Sequence, residues 1–274
     1  MKKLLFLFCA LVAIESTMAQ KTAEIQILGH RGGRFEVDEN TLAGFKDAYS
    51  KGVRAFETDI RMTADGELVI MHDASLKRIA NVDLVVEESS RKELKKLKTK
   101  KGNPILFADE LADFFRKSEV TYIEWEMKTK NYPEEKLATY CKKLYKLVMK
   151  QKPANAAYIF SSFDTRVIKV MKELHPDAEC MMITSKPMSK AVRNAAKELG
   201  VRRIACSVKT SSHRNIAQAK KEGFIINLWP GGSIEQFMLA LALGADIACL
   251  DCPVEVIEFI KEKLPWVTPS KDLR

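Results

Sequence analysis

The chain has 274 residues, 46% of them hydrophobic and 30% charged, with a formal net charge of +9. That is enough apolar material for a full core, and α/β barrels of about 250 residues commonly form one domain. The excess lysines are scattered through helix-like segments such as Arg91 to Lys101 and Lys142 to Lys152, which reads as solvated faces; no motif interleaves aromatic and basic residues, so a nucleic-acid partner is not expected.

In chain order, the first signal is Met1-Lys2-Lys3 followed by the apolar run Leu4 to Ile14, the charged start and short apolar middle of a secretory signal. The run is too short to span a bilayer. Small residues in Thr17-Met18-Ala19 predict a cut before Gln20, an exported, periplasmic or secreted protein, and no stable membrane insertion after cleavage. Loss of Lys2, Lys3 and Glu15 takes the formal charge from +9 to +8.

Strand-like and helix-like signals then alternate. Short apolar or β-branched runs occur at Ile25–Leu28, Ala55–Ile60, Tyr122–Met127, Tyr158–Phe160, Cys180–Ile183, Arg203–Cys206, Phe224–Leu228 and Asp246–Leu250. Between most of them lie amphipathic stretches, including Thr41–Ser50, Glu134–Met149, Arg166–Leu174, Ser189–Leu199 and Ile234–Leu243. Eight such units in a chain of one domain's size predict an α/β fold closed as a single (β/α)8 TIM barrel over residues 20–274, rather than an open doubly wound sheet. After an extra extended run at Glu67–Met71, residues 74–104 break the rhythm with polar, lysine-rich sequence. This is expected to be a small insertion on the barrel rim.

Five cysteines follow the expected cut: Cys141, Cys180, Cys206, Cys249 and Cys252. An odd number at irregular spacing does not make a disulfide scaffold. Cys249-Leu250-Asp251-Cys252 has the spacing of a redox pair but ends an apolar strand-like run, so both thiols are read as small buried hydrophobes.

In a barrel of this kind, chemistry sits where strands end and βα loops begin. Four strand-like runs end in polar clusters: Gly29-His30-Arg31-Gly32-Gly33, Glu57-Thr58-Asp59, His72-Asp73 and Glu124-Trp125-Glu126-Met127-Lys128. Alternation puts Glu57 and Asp59 on one face, and Glu124, Glu126 and Lys128 likewise on one face. Such carboxylates repel one another unless protons or a cation neutralise them, and a hard divalent metal with oxygen ligands is the simplest solution. Taken singly, an acidic pair is more often solvated or salt-bridged, and one histidine can be purely structural. The combination is more informative. Only four histidines exist; two of them end strand-like segments beside the carboxylates, while His175 and His213 look like surface residues.

At this point the sequence resembles the glycerophosphodiester phosphodiesterases. The resemblance is carried by His30-Arg31-Gly32, Glu39-Asn40-Thr41, Gly52, Glu57-Thr58-Asp59, Thr63-Ala64-Asp65-Gly66 and His72-Asp73, and more weakly by Glu126-Met127-Lys128, Ser161-Ser162-Phe163, Trp229 and Asp251-Cys252-Pro253. It implies one divalent ion, Ca²⁺ or Mg²⁺, on Glu57, Asp59 and Glu126, with His30 and His72 as the acid/base pair. It also implies a small-molecule glycerophosphodiester substrate, gripped by Arg31 as a bidentate fork and by Lys128. Trp229 and Phe163 are candidates for an apolar wall against the glycerol or leaving group, with core packing the alternative for Phe163. Two positions depart from the family pattern. Asp38 stands where proline is common, and is expected to matter little; Pro230 follows Trp229 where a Thr-Val or similar pair is usual, which bears on the loop after the seventh strand and on substrate choice.

Two other functions fit parts of the same pattern. One is a lipid-directed phosphodiesterase acting on lysophospholipid or sphingolipid, because toxin-like phospholipases D resemble the same motif block; the lack of a long exposed apolar run weighs against it. The other is a non-catalytic phosphodiester-binding barrel, which would not need a matched histidine pair. The sequence sets neither the metal, the head group nor the oligomeric state.

Overall fold

The computed structural model describes residues 22–270, so the leader-like residues 1–19 lie outside the described part. The strands are β1 (Ala23–Gly29), β2 (Ala55–Met62), β3 (Leu68–Ile70), β4 (Tyr122–Met127), β5 (Ala157–Ser162), β6 (Glu179–Ile183), β7 (Arg203–Ser207), β8 (Ile225–Gly231), β9 (Ile247–Leu250) and β10 (Val267–Pro269). The helices are α1 (Leu42–Ser50), α2 (Lys77–Ala80), α3 (Arg91–Leu94), α4 (Ala108–Arg116), α5 (Glu134–Met149), α6 (Thr165–Leu174), α7 (Lys190–Glu198), α8 (His213–Lys221), α9 (Ile234–Leu243) and α10 (Pro253–Lys263).

All eight apolar runs became barrel strands. β1, β2, β4, β5, β6, β7, β8 and β9 pair in parallel in that order, and β9 closes the ring on β1 with Gln26 opposite Ile247. Near-continuous apolar sequence suits strands buried on both faces. One face fills the barrel interior, with Leu28, Tyr122, Ile159, Met181, Ile247 and Cys249 among the residues there. The other packs on the helices, whose starts are set by side chains that accept backbone N–H groups: Thr41 for α1, Asp164 for α6, Ser189 for α7, Ser212 for α8 and Ser233 for α9. No helix among the described residues is long and apolar enough to cross a membrane.

Elements outside the strict repeat were less visible in the sequence. β3 folds back antiparallel on β2, and β10 extends the sheet beside the start of β1. α4, which had no counterpart in the sequence reading, places Phe115 against Phe45, Phe56 and Trp125 at 5.7–5.8 Å between ring centroids. Arg91 to Lys101, expected to be helix-like, contains only the single turn of α3. His175 stacks on Tyr145 at 3.7 Å and is half-buried, whereas His213 is exposed at the start of α8. Cys141, Cys180, Cys206, Cys249 and Cys252 are all free and buried, which agrees with the reading of Cys249 and Cys252 as small hydrophobes.

Residues 74–104 carry α2, a 3-10 turn at Val86–Glu88 and α3, and bury Leu76, Ile79, Val86 and Leu94 against Val69, Met71, Ile105 and Phe107. Asp38 matters more here than its sequence position suggested. It is 7% exposed and accepts hydrogen bonds from Thr99 Oγ1 at 2.5 Å and Asn103 Nδ2 at 3.0 Å, which fasten this segment to the loop after β1. Proline could accept neither. Pro230 also differs from expectation, because it lies inside β8 and not in the loop beyond it. A side chain at the following Gly231 would meet Leu250 at 2.3 Å and the Cys249 carbonyl at 2.7 Å, so glycine is needed for the close approach of β8 and β9.

Asp38→Ala removes the acceptor of both the Thr99 O–H and the Asn103 side-chain amide, and should destabilise the protein by about 1–3 kcal/mol in denaturant unfolding. A change below about 0.5 kcal/mol, the range of ordinary surface substitutions, would show that these bonds do not fasten the segment.

Candidate active site

The site is built at the C-terminal ends of β1, β2, β4, β5, β8 and β9, with His72 coming from just after β3. β1 ends in a sharp turn in which Arg31 (φ 52), Gly32 (φ 83) and Gly33 (φ 88) are all left-handed. A side chain at Gly33 would be strained by its φ and would lie 2.7 Å from Glu36 Oε2. Arg31, a non-glycine residue in this region, is held by two bonds: its N–H donates to Glu57 Oε2 at 3.1 Å, and its carbonyl accepts from the Asn40 N–H at 2.9 Å. The turn therefore presents His30 and Arg31 to the barrel mouth on a locked backbone.

The β2–β4 register sets Glu57 opposite Glu124 and Asp59 opposite Glu126. Glu57, Asp59 and Glu126 each offer an oxygen, all within 4.8 Å of one another, and all three side chains are buried. Glu57 Oε1 has no hydrogen-bond partner, and Asp59 Oδ1 is met by the Lys128 ammonium at 3.0 Å. Lys128 also lies 2.6 Å from Glu126 Oε1, and Arg31 Nε lies 3.3 Å from Asp59 Oδ2. Burial, and then the neighbouring Asp59 and Glu126, push the Glu57 carboxyl well above its ordinary value. Burial pushes Asp59 the same way, but Lys128 and Arg31 outweigh it and hold Asp59 well below the usual carboxylate range. Glu126 is raised, mainly by burial. Converging buried carboxylates with unpartnered oxygens are a donor set that fits a hard divalent ion.

Both strand-end histidines reach this region, each oriented by an aspartate. His30 Nδ1 is 2.5 Å from Asp251 Oδ1, and its Nε2 is 3.7 Å from Glu57 Oε2. His72 Nδ1 is 2.6 Å from Asp73 Oδ1. Burial is the main effect on each ring and lowers both below the ordinary histidine value, against the opposing pull of Asp251 on His30 and of Asp59 and Asp73 on His72. Arg31 does not present a free fork: its Nη1 donates to Glu39 at 3.2 Å, besides the Asp59 contact.

A cavity of about 370 Å³ is lined by His30, Glu57, His72, Glu126, Lys128 and Trp229, together with Arg31 and Phe163. All nine residues singled out in the sequence thus meet at one mouth, except that Asp59 lies behind the lining, fully buried. Phe163 and Trp229 meet edge to face at 5.6 Å, and Phe163 is 44% exposed, so it is a wall residue and not core packing. An adjoining cavity of about 390 Å³ shares His72, Glu126, Lys128 and Phe163.

Several contributors had no role in the sequence reading. Asp251, which orients His30, lies 221 residues away in the chain; its place at the end of the last barrel strand was the available signal. Asn40 donates to Asp59 Oδ2 at 2.7 Å and accepts from Thr58, fixing that carboxylate from behind. Glu124 turns away from the other acids: Tyr122 and Asn227 both donate to its Oε1 at 2.9 Å, and burial raises it to about 7.

The sequence matches the glycerophosphoryl diester phosphodiesterase family over residues 30–254. A glycerophosphodiester phosphodiesterase of Bacillus subtilis is 25% identical over 223 residues, covering 74% of this chain and 75% of that protein. One from Caldanaerobacter subterraneus is 39% identical over 71 residues, 26% of this chain and only 29% of its own length. Among solved structures, an Oleispira antarctica phosphodiesterase in complex with the product sn-glycerol-3-phosphate superposes with a TM-score of 0.80 at 20% identity, covering 86% of this chain and 97% of that one. With its closed eight-stranded barrel and a match that runs from His30 to Val254, the chain belongs to the glycerophosphoryl diester phosphodiesterase family.

Proposed function

We propose that this protein hydrolyses glycerophosphodiesters to glycerol 3-phosphate and an alcohol, in a reaction that depends on a divalent ion held by Glu57, Asp59 and Glu126. The observation that carries this reading is the convergence on one cavity of three buried carboxylates and two imidazoles, each imidazole with its own aspartate. The family membership agrees with it, as does the product named in the Oleispira antarctica structure. A non-catalytic barrel would have no use for two separately oriented histidines.

An ion on the three carboxylates supplies charge neutralisation at a nonbridging phosphate oxygen and a lower pKa for an attacking hydroxyl. The chain's own groups do the rest. Lys128 and Arg31 place positive charge beside the diester, although both are also tied to the acids. Asp251 accepts from His30 Nδ1 and Asp73 from His72 Nδ1, which leaves Nε2 as the nitrogen of each ring for proton transfer. One imidazole takes the proton of the nucleophile, either water or the substrate's own glycerol 2-hydroxyl, and the other protonates the leaving alcohol; attack by the 2-hydroxyl gives a cyclic phosphate, which water then opens to glycerol 3-phosphate with the two rings exchanging roles. Burial favours the neutral ring in both, which suits the base. The bound diester's negative charge pulls the acid in the other direction. Phe163 and Trp229 offer apolar surface in the cavity to the glycerol or the leaving group.

The decisive assay is release of choline or ethanolamine from the water-soluble glycerophosphodiester, with micellar lysolipid in parallel. Release from the soluble diester that stops with chelator and returns with Ca²⁺ or Mg²⁺ is expected; preference for the micelle would favour the lipid-directed enzyme, and release from neither would leave only a binding barrel. Removing even an outer partner of a metal ligand costs about 10–100-fold in affinity, so Glu57→Gln or Glu126→Gln should weaken metal binding at least tenfold by calorimetric titration.

The base must be neutral and the acid protonated, so activity rises with pH through the base's pKa and falls through the acid's. Removing the base abolishes the acidic limb and removing the acid abolishes the alkaline one. His30→Ala and His72→Ala should therefore each lose a different limb of a bell-shaped profile, and full activity in either variant would rule out the pairing.

We also propose export, with Gln20 as the mature N-terminus on the strength of the leader-like residues 1–19. Mass spectrometry of the protein from its native host should find that terminus; an intact Met1 would refute it.

A further inference from the structure

His72 is held at both its ends by chains of contacts that start in the segment that follows it. At the side chain, Asp73 Oδ1 meets His72 Nδ1, and the other oxygen of Asp73 accepts from Arg78 Nε at 2.5 Å. Arg78 lies in α2, and its two remaining nitrogens donate to both oxygens of Glu39 at 2.8 and 2.7 Å. Glu39 is also the carboxylate that receives Arg31 Nη1. At the backbone, Arg61 donates from Nε and Nη2 to the His72 carbonyl at 3.0 and 2.8 Å, and Arg61 is itself held by Glu87 at 2.7 Å. Glu87 belongs to the 3-10 turn of the same segment. Of residues 74–104, only Ala74, directly after the His72-Asp73 pair, lines either cavity at the barrel mouth, so the body of the segment does not form a wall for the alcohol.

From this geometry we infer that residues 74–104 are a positioning device for His72, with Arg78 as its central positioning residue and the Arg61–Glu87 pair as its backbone brace. The inference rests on the proposed acid/base role of His72 and adds the part that keeps its ring in place. Arginine suits position 78 because its planar guanidinium donates from three separate nitrogens, one to Asp73 and two as a fork to Glu39, whereas an ammonium offers all its donors from one atom and cannot reproduce the fork. Arg78 is 46% exposed and its ion pairs are screened, so its effect is on geometry and only slightly on stability.

The test uses the full-length, metal-replete protein with Arg78→Gln, Arg78→Lys, Asp73→Asn and the Arg78→Gln/Asp73→Asn pair. A misplacement of about 1 Å can cost about 100-fold in rate, so Arg78→Gln should lower kcat by about 10–100-fold with KM within about threefold and a melting temperature near that of the wild type. Arg78→Lys should recover only part of the loss. Because Arg78 acts through Asp73, adding Arg78→Gln to Asp73→Asn should lower kcat by less than about twofold. Independent, multiplicative losses, or a loss confined to KM or to head-group preference, would overturn the inference. A readout free of catalysis separates it from the reading on which it rests. In ¹⁵N-histidine-labelled protein, the His72 Nδ1 proton, assigned by its absence in His72→Ala, should shift or broaden in Arg78→Gln while that of His30 stays. An unmoved His72 signal sinks the positioning role even if the enzyme is active. A moved signal in a protein inert toward every diester supports it and removes only the catalytic reading.

Discussion

Burying three carboxylates within 4.8 Å of one another at the end of a barrel is electrostatically unfavourable, and much of the surrounding structure answers that constraint. The in-register pairing of β2 and β4 places Asp59 beside Glu126, and the alternation of β2 adds Glu57 to the same face. Lys128 and Arg31 bring positive charge onto Asp59, Asn40 holds it from behind, and the Arg31 backbone N–H reaches Glu57. Glu57 Oε1 is left without a hydrogen-bond partner. A cluster arranged this way is costly for stability alone, and its three converging oxygens could hold a metal ion.

The histidines show the same economy in another form. Each ring is fixed through Nδ1 by an aspartate, but the two aspartates come from opposite kinds of chain geometry. Asp73 is the next residue after His72, whereas Asp251 reaches His30 only because the barrel closes β9 onto β1. Closure also places His30 3.7 Å from Glu57 on β2, so one strand end touches both its neighbours in the ring. The left-handed turn at Arg31 to Gly33 then diverts the chain directly after His30, with the Arg31 N–H bonded to Glu57.

The rim segment shows how a region without a clear repeat can still be closely tied to the site. Its own apolar cluster of Leu76, Ile79, Val86 and Leu94 gives it a fixed shape, and Asp38 fastens its far end through Thr99 and Asn103. Arg78 and Glu87 then connect that shape to Asp73, Glu39 and Arg61. Nothing in the local sequence distinguishes Arg78 from the lysines around it; only the folded arrangement shows that its guanidinium faces two acids.

Local chain chemistry was enough to place the eight barrel strands, because strands buried on both faces need short continuous apolar runs, and enough to place Glu57, Asp59, Glu126, Lys128 and the two histidines at strand ends, because alternation and strand length are properties of neighbouring residues. It was not enough for α4, for β10 or for the position of Pro230 inside β8, where packing against distant elements decides the conformation. Partners were the least legible: Asp251 with His30, Asp38 with Thr99, and Arg31 with Glu39 and Asp59, whose contacts left no free fork. Polar groups pair with whatever the closed barrel brings within about 3 Å. That proximity is set by β9 meeting β1 and by a segment folding over the rim, and no spacing along the chain encodes it.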